Sequence, residues 1–314
     1  MTAAADLPLV TVVIPTWNRL PLLREAVASV VAQTYPAWEL VVVDDGSTDG
    51  TAAWVRSLGD TRIRVVELSR CAQVGRLRNA GVRAGSGGLI AFLDSDDAWL
   101  PHKLEAQVAA MRAKGARWCY GRYEVMDAEG RPAARRAGEF RPLSGAIARE
   151  LLMDRTDVCV VTLLVERTLF QAAGGFSEDP RVRRREDWEL HVRLAMRADA
   201  LALDQALARI RDHGARTTAA MADVHTVTIA TYDAFLETNP PSDLARLARR
   251  GRAEHLADAG AEQLARGAWA RAAGMFAGAL LGGVPPGRWA RAVVRGARGW
   301  RRRGKGVAGG PAAG

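Results

Sequence analysis

Three carboxylates, Asp94, Asp96 and Asp97, crowd four consecutive positions with Ser95 between them. Like charges this close repel unless a cation offsets them. Hard oxygen ligands suit Mg²⁺ or Mn²⁺, which commonly bridge to a substrate phosphate. The cluster therefore reads as a metal-diphosphate site, against the plainer alternative of a solvated acidic turn that caps a helix ahead of Pro101. A second acid pair, Asp44 and Asp45, is followed by Gly46, Ser47, Thr48 and Asp49, a run that also suits a turn and a helix cap. A third pair, Glu186 and Asp187, opens a segment whose apolar side includes Trp188, Leu190 and Leu194. Acids in a first helical turn are favoured by the helix dipole.

The elements around these residues would bring two of the clusters to one edge. Leu89–Leu93 is an uninterrupted apolar run, as in a strand buried on both faces of a parallel sheet, and Asp94–Asp97 leave its end. Glu39–Val43 (ELVVV) is a second such run and ends in Asp44 and Asp45. Leu9–Ile14 predicts the first strand, with Pro15, Thr16, Trp17 and Asn18 as its exit loop and a helix from Pro21. Arg62–Leu68 predicts another strand, and Gln73–Ala84 a helix carrying Arg76, Arg78 and Asn79. This βαβαβαβ order implies a parallel, doubly wound sheet with right-handed crossovers. Ligands of such sheets bind beyond the carboxyl ends of the strands. No GxGxxG follows the first strand and no GxxxxGK[ST] occurs, which weighs against Rossmann dehydrogenases and P-loop enzymes.

The 314 residues suffice for one large domain or two small ones. Cys71, Cys119 and Cys159 are far apart, so neither a zinc cluster nor a disulfide framework is suggested, and a reducing, cytoplasmic compartment fits. No basic leader precedes the first strand, and no apolar run reaches transmembrane length. The net charge of +9 is uneven: no acid follows Glu262, while ten of the 44 lysines and arginines do, so the body sums to −1. That argues against a specific nucleic-acid-binding core.

VTVVIPTWNR, LVVVDDGSTDGT and GRLRNAGVRAGSGGLIAFLDSDD together resemble the nucleotide-sugar half of the family 2 glycosyltransferases. The resemblance is close from residue 9 to about 100. It continues more loosely to about 215 through GGFSEDPRVRRREDWELHVRLA. It implies an α/β fold of the GT-A type, a doubly wound mixed but mostly parallel sheet, and an inverting transfer from a nucleotide-diphosphate sugar of UDP or dTDP type. By the resemblance, Pro15, Thr16 and Trp17 line the base and ribose pocket. Asp45 accepts the imide N–H of a pyrimidine, with Asp44 in support. Arg78 meets the diphosphate, Asp94 lies near the ribose and Asp96 holds Mn²⁺ or Mg²⁺. Asn18 and Ser95 are counted with the donor site. Asp187 becomes the general base that deprotonates the acceptor hydroxyl, and Glu186 orients it or the acceptor. Arg211 and His213 match an Arg-x-His pattern that closes on diphosphate and metal, with Asp212 as a departure from the usual sequence. The acceptor is expected to be a glycan or glycolipid of cell-surface polysaccharide assembly.

The expected domains are a nucleotide-sugar half (1–100), an acceptor half (101–222), an all-helical extension (223–286) and a basic amphipathic tail (287–314) whose end, from 304, is disordered. Val158–Val165 predicts a strand. Arginines at 288, 291, 295, 298 and 302 draw one stripe on a helix, with Trp289, Val293 and Trp300 opposite. Such a helix, over residues 288–303, suits an anionic membrane surface and predicts a peripheral protein on the inner face of the membrane. Two rival functions are weighed. A sugar nucleotidyltransferase would want a Gly-rich, Arg/Lys-bearing loop where PTWNR stands. A catalytically silent sugar-nucleotide-binding module has no need for Asp45, Asp94, Asp96 and Asp187 together.

Overall fold

The computed structural model describes residues 7–133, 142–213 and 224–307; in the last helix, side chains are described to residue 298 and for Trp300. The chain forms two compact units, Met1–Ala220 and Met221–Gly314.

The first unit holds one eight-stranded mixed sheet. Its parallel half is built from β1 (Val10–Thr16), β2 (Trp38–Asp44), β3 (Ile63–Glu67) and β4 (Leu89–Phe92), with α1 (Leu20–Val31), α2 (Thr51–Ser57) and α3 (Val74–Ala84) as crossovers. Every residue of β1, β2 and β4 is buried, as their apolar runs require. The remaining elements are β5 (Ala98–Trp99), α4 (Lys103–Lys114), β6 (Trp118–Met126), α5 (Ala148–Leu152), β7 (Leu164–Glu166), α6 (Arg167–Ala172), α7 (Glu186–Ala195) and β8 (Leu201–Arg211). The strand order is β3-β2-β1-β4-β7-β6-β8-β5. β6 and β8 run parallel, whereas β7 is antiparallel to both β4 and β6. Register sets the acids level with the first loop: Thr16 faces Asp44 across β1 and β2, and Val13 faces Phe92 across β1 and β4.

Helix α3 lies tight on the sheet because Gly81 lets it. A Cβ there would stand 2.3 Å from Val13 Cγ1. Buried Glu39 ties β2 to its neighbours, accepting from Thr11 Oγ1 at 2.7 Å, Gly87 N at 2.9 Å and Arg64 Nη2 at 2.8 Å. Burial alone would raise its carboxyl, but these bonds and that of Ser86 hold it down to about 2. The apolar run Val158–Val165 does not form one strand. Val160–Thr162 makes a 3-10 turn, and only Leu164–Glu166 joins the sheet. The Thr162 hydroxyl donates back to Cys159 O at 2.8 Å, a local bond that competes with the ladder.

The second unit is helical, with α8 (Val224–Glu237), α9 (Ser242–Ala265), α10 (Trp269–Leu281) and α11 (Pro286–Val307). Gly267, at φ +82°, makes the turn between α9 and α10. Here the expectation that the apolar face of α11 is free for a membrane needs correction. Ala292 is a buried member of the core formed with Ala257, Ala261, Leu264 and Phe276, and Trp289, Val293 and Ala297 pack against it. The apolar face of α11 is thus consumed inside its own unit and does not form a free tail. Two arginines of the stripe are also paired, Arg288 with Glu254 at 2.9 Å and Arg295 with Asp258. Trp300, 43% exposed, instead meets Trp269, 54% exposed, edge to face at 5.1 Å. Residues 304–307, expected to begin a disordered end, close α11; residues 308–314 lie outside the described part of the chain.

Candidate active site

The carboxyl edge of β4 opens into a cleft of about 600 Å³. Asp94, Asp96 and Asp97 line it from the loop after β4, Asp187 from the start of α7, and Arg211 and His213 from the end of β8. Sequence positions far apart thus meet in one cavity.

The acid loop is held by cations on several sides. Asp96 Oδ2 accepts from Arg19 Nη1 at 2.7 Å and lies 3.0 Å from His213 Nε2. Asp94 Oδ1 accepts from Arg78 Nη2 at 2.6 Å. Asp97 Oδ1 accepts the backbone N–H of Arg211 at 2.8 Å. Burial and the charges of Asp94 and Asp96 raise the Asp97 carboxyl well above its ordinary range. Ser95 is buried in the same turn.

Two arginines expected at the diphosphate have protein partners. Arg78, 4% exposed, lies between Asp94 and Glu186, with its Nη1 3.6 Å from Glu186 Oε1. Arg211 is a strut: its Nε donates to Asp96 O at 2.9 Å, its Nη1 to Ala128 O at 2.8 Å and its Nη2 to Glu25. It fixes the acid loop to β8 and to the turn after β6.

At the start of α7, Asp187 accepts only the N–H of Trp188 at 2.7 Å among the bonds described, and its side chain fronts the cleft. Glu186 is pushed up by burial and by Asp187, with Arg78 opposing, and its Oε2 has no hydrogen-bond partner among the described residues. One turn further, buried His191 has both ring nitrogens unpartnered among the described residues, and burial depresses its pKa to about 4. Gly75 of α3 permits this packing, since a Cβ there would lie 2.8 Å from Ser177 O and 3.3 Å from Glu186 Cγ. Asn79 has a structural place: its amide donates to Phe176 O at 2.9 Å and accepts from Phe176 N at 3.0 Å.

The loops after β1 and β2 form a separate cluster beside these groups. Asp44 Oδ1 caps its own turn, accepting from Ser47 N at 3.0 Å. Asn18, at φ +48°, is spent on that turn, accepting from Thr48 N at 2.8 Å. Asp45 is 1% exposed; it accepts from Cys71 N at 2.7 Å, from Ala72 N at 2.9 Å and from Arg70. Burial opposes its charge, but these donors hold the carboxyl below its ordinary range. Trp17, which together with Pro15 and Thr16 was expected around the base, is stacked on the Arg70 guanidinium at 3.9 Å.

Sequence reasoning missed Arg19, Tyr123, Asp157 and the 158–161 segment, all of which line the cleft. Asp157 stands in a loop without periodicity or motif, and its carboxyl is raised by burial and by Asp187. Arg19 directly follows the Pro15–Asn18 loop, but nothing local pairs it with an acid 77 residues on. Among the described residues, no three His, Cys, Asp or Glu side chains gather as a complete metal cage. Asp96 and His213 nevertheless pair one hard oxygen with one imidazole, a partial set whose remaining positions a diphosphate and water can fill.

Residues 11–172 match the family model described as glycosyl transferase family 2. The UDP-Glc:alpha-D-GlcNAc-diphosphoundecaprenol beta-1,3-glucosyltransferase WfgD of Escherichia coli is 37% identical over 119 residues, 38% of this chain and 47% of that protein. The chain therefore spans about half the length of that relative. The putative teichuronic acid biosynthesis glycosyltransferase TuaG of Bacillus subtilis is 30% identical over 207 residues, 65% of this chain and 79% of that protein. In fold, the chain is similar to Staphylococcus aureus TarS 1–349 in complex with UDP-GlcNAc, with a TM-score of 0.68 at 17% identity over 94% of this chain and 92% of that one.

Proposed function

The chain belongs to glycosyl transferase family 2, and we propose that it is an inverting enzyme moving a sugar from a nucleotide-diphosphate sugar to a hydroxyl of a glycan or lipid-linked glycan. The observation that carries this reading is the sharing of one cleft by Asp187, the acid loop Asp94–Asp97 and His213. An inverting transfer needs one carboxylate on the acceptor side and charge stabilisation on the diphosphate side. Asp187 takes the proton of the acceptor hydroxyl. That oxygen attacks the anomeric carbon from the face opposite the diphosphate, and the carbon–oxygen bond to the diphosphate breaks. Glu186 and Asp157 stand beside it, their carboxyls raised by burial and by the charge of Asp187.

Asp96 and His213 would hold Mn²⁺ or Mg²⁺, which when bound supplies positive charge for the leaving diphosphate. Arg211 positions the acid loop. Arg78 joins Asp94 to Glu186 and so links the donor and acceptor sides. The names of WfgD, acting on a diphosphoundecaprenol-linked sugar, and of TuaG support a lipid-linked or cell-surface polysaccharide acceptor. No described helix is long and apolar enough to cross a membrane. A cytoplasmic, peripheral position on the inner face of the membrane is the reading we favour, and we assign it to charge rather than to insertion of the α11 apolar face. Among the described residues of this unit, exposed Arg291 and Arg298 and the exposed Trp269–Trp300 pair are available for that contact.

A thermal-shift screen of nucleotide sugars with and without Mn²⁺ tests the donor assignment, because a ligand that binds only the native state raises the midpoint by mass action. Absence of a shift with every UDP- and dTDP-sugar would overturn it.

A further inference from the structure

Asp45 and Trp17 offer the two contacts that a pyrimidine-dione ring needs: a buried carboxylate to accept its imide N–H, and an open aromatic face to stack on. Both contacts are already made, by Arg70. Its guanidinium lies 3.9 Å over the Trp17 ring and pairs with Asp45. A guanidinium is flat, carries N–H donors in its plane and stacks on aromatic faces. It therefore satisfies Asp45 and Trp17 in the same way as the edge and face of a uracil.

We propose that Arg70 is an internal stand-in for the nucleobase, occupying its subsite until the donor expels it. This inference rests on the donor reading given above. A gap of 3.9 Å leaves no room for a base between Arg70 and Trp17. Arg70 can leave: its side chain is 40% exposed, whereas Asp45 is 1% exposed and cannot move with it. The loop that carries Arg70 is built around Asp45. Ala72 takes φ +54°, a left-handed conformation unusual for a residue with a Cβ, while its N–H reaches Asp45. Together with Cys71 N, that bond keeps the carboxylate anchored when the guanidinium swings out.

The device has a purpose in physical terms. An empty base site would leave a buried carboxylate with fewer donors and an aromatic face open to water. Arg70 satisfies both until a ligand arrives that can replace it, so a sugar diphosphate without a base gains nothing at this subsite.

The test is calorimetric titration of UDP into the full chain, as wild type, Arg70→Ala and Arg70→Lys, with the melting temperature of each as a check on folding. Removing a competitor that makes one stacked cation contact and one charge-assisted bond should tighten UDP binding by roughly 3- to 10-fold in Arg70→Ala. Arg70→Lys, which keeps the charge and loses the flat stack, should fall between. In stopped-flow measurements the wild-type association rate should level off at high UDP, at the rate of Arg70 departure, while that of Arg70→Ala stays linear. Weaker or unchanged UDP affinity in a folded Arg70→Ala overturns the proposal and would make Arg70 a ligand contact or a bystander. If neither wild type nor Arg70→Ala binds UDP, the donor reading fails and this inference fails with it.

Discussion

His213 Nε2 lies 3.0 Å from Asp96 Oδ2, although 117 residues separate them in sequence. The contact brings the end of β8 back over the loop after β4. It also sets one carboxylate oxygen beside one imidazole nitrogen at the candidate metal position.

Replacing Asp96 with Ala should abolish Mn²⁺-dependent binding of UDP, and His213→Ala should weaken it by about 10- to 100-fold, as loss of one ligand or its support commonly does. Titrating UDP with and without Mn²⁺ into both variants measures this. Mn²⁺-dependent affinity equal to that of the wild type in both variants would remove the assignment.

Asp187→Asn should leave UDP affinity intact and lower transfer by ~10²–10⁴, the usual contribution of a general base. Transfer rates near normal in the amide variant would move that role elsewhere, with Asp157 and Glu186 as the groups to test next.

His191 should make the catalytic unit acid-sensitive. Burial depresses its pKa from about 6.5 to about 4, so below pH 6.5 the unfolded chain takes up a proton that the folded one refuses. Stability is full above about pH 6.5 and falls as the pH drops towards about 4, by on the order of 3 kcal/mol for a shift of this size. Denaturant unfolding of wild type and His191→Leu across pH 4 to 7 is the check. The variant should lose that part of the slope, whatever its stability at pH 7.

Truncation after Pro286 should destabilise the helical unit, because it removes Ala292 from the core and Trp289, Val293 and Ala297 from its surface. Increased binding of a hydrophobic dye and loss of helical circular dichroism beyond that of α11 itself are the expected results. In the intact chain, Arg291→Gln with Arg298→Gln should lower sedimentation with anionic liposomes while leaving the melting temperature unchanged. Sedimentation equal to the wild type at low salt would end the case for these arginines.

The parallel half of the sheet was legible because its signals are local. Each strand is an apolar run, and each acid cluster sits at a run's carboxyl end, so Asp45, Asp94 and Asp96 could be assigned to one edge without knowing the register. What was not legible depends on distant partners. Arg78 and Arg211 were expected to face the diphosphate, yet nothing in their neighbourhood signals that Glu186 and Glu25 will engage them. Asp157 carries no pattern at all. On α11, periodicity correctly marks Trp289 and Val293 as one apolar face, but a period cannot tell whether lipid or Leu264 and Phe276 will cover it. Val158–Val165 failed as a strand because composition does not reveal that Thr162 will bond to its own backbone three residues back.

The amide of Asn79 grips both backbone groups of Phe176, so α3 and the segment leading to α7 are fastened as two leaves of one hinge. Opening either leaf breaks the same pair of bonds. The helix behind the donor groups and the stretch that delivers Asp187 should therefore open as one unit, and hydrogen exchange should release their amide protons together.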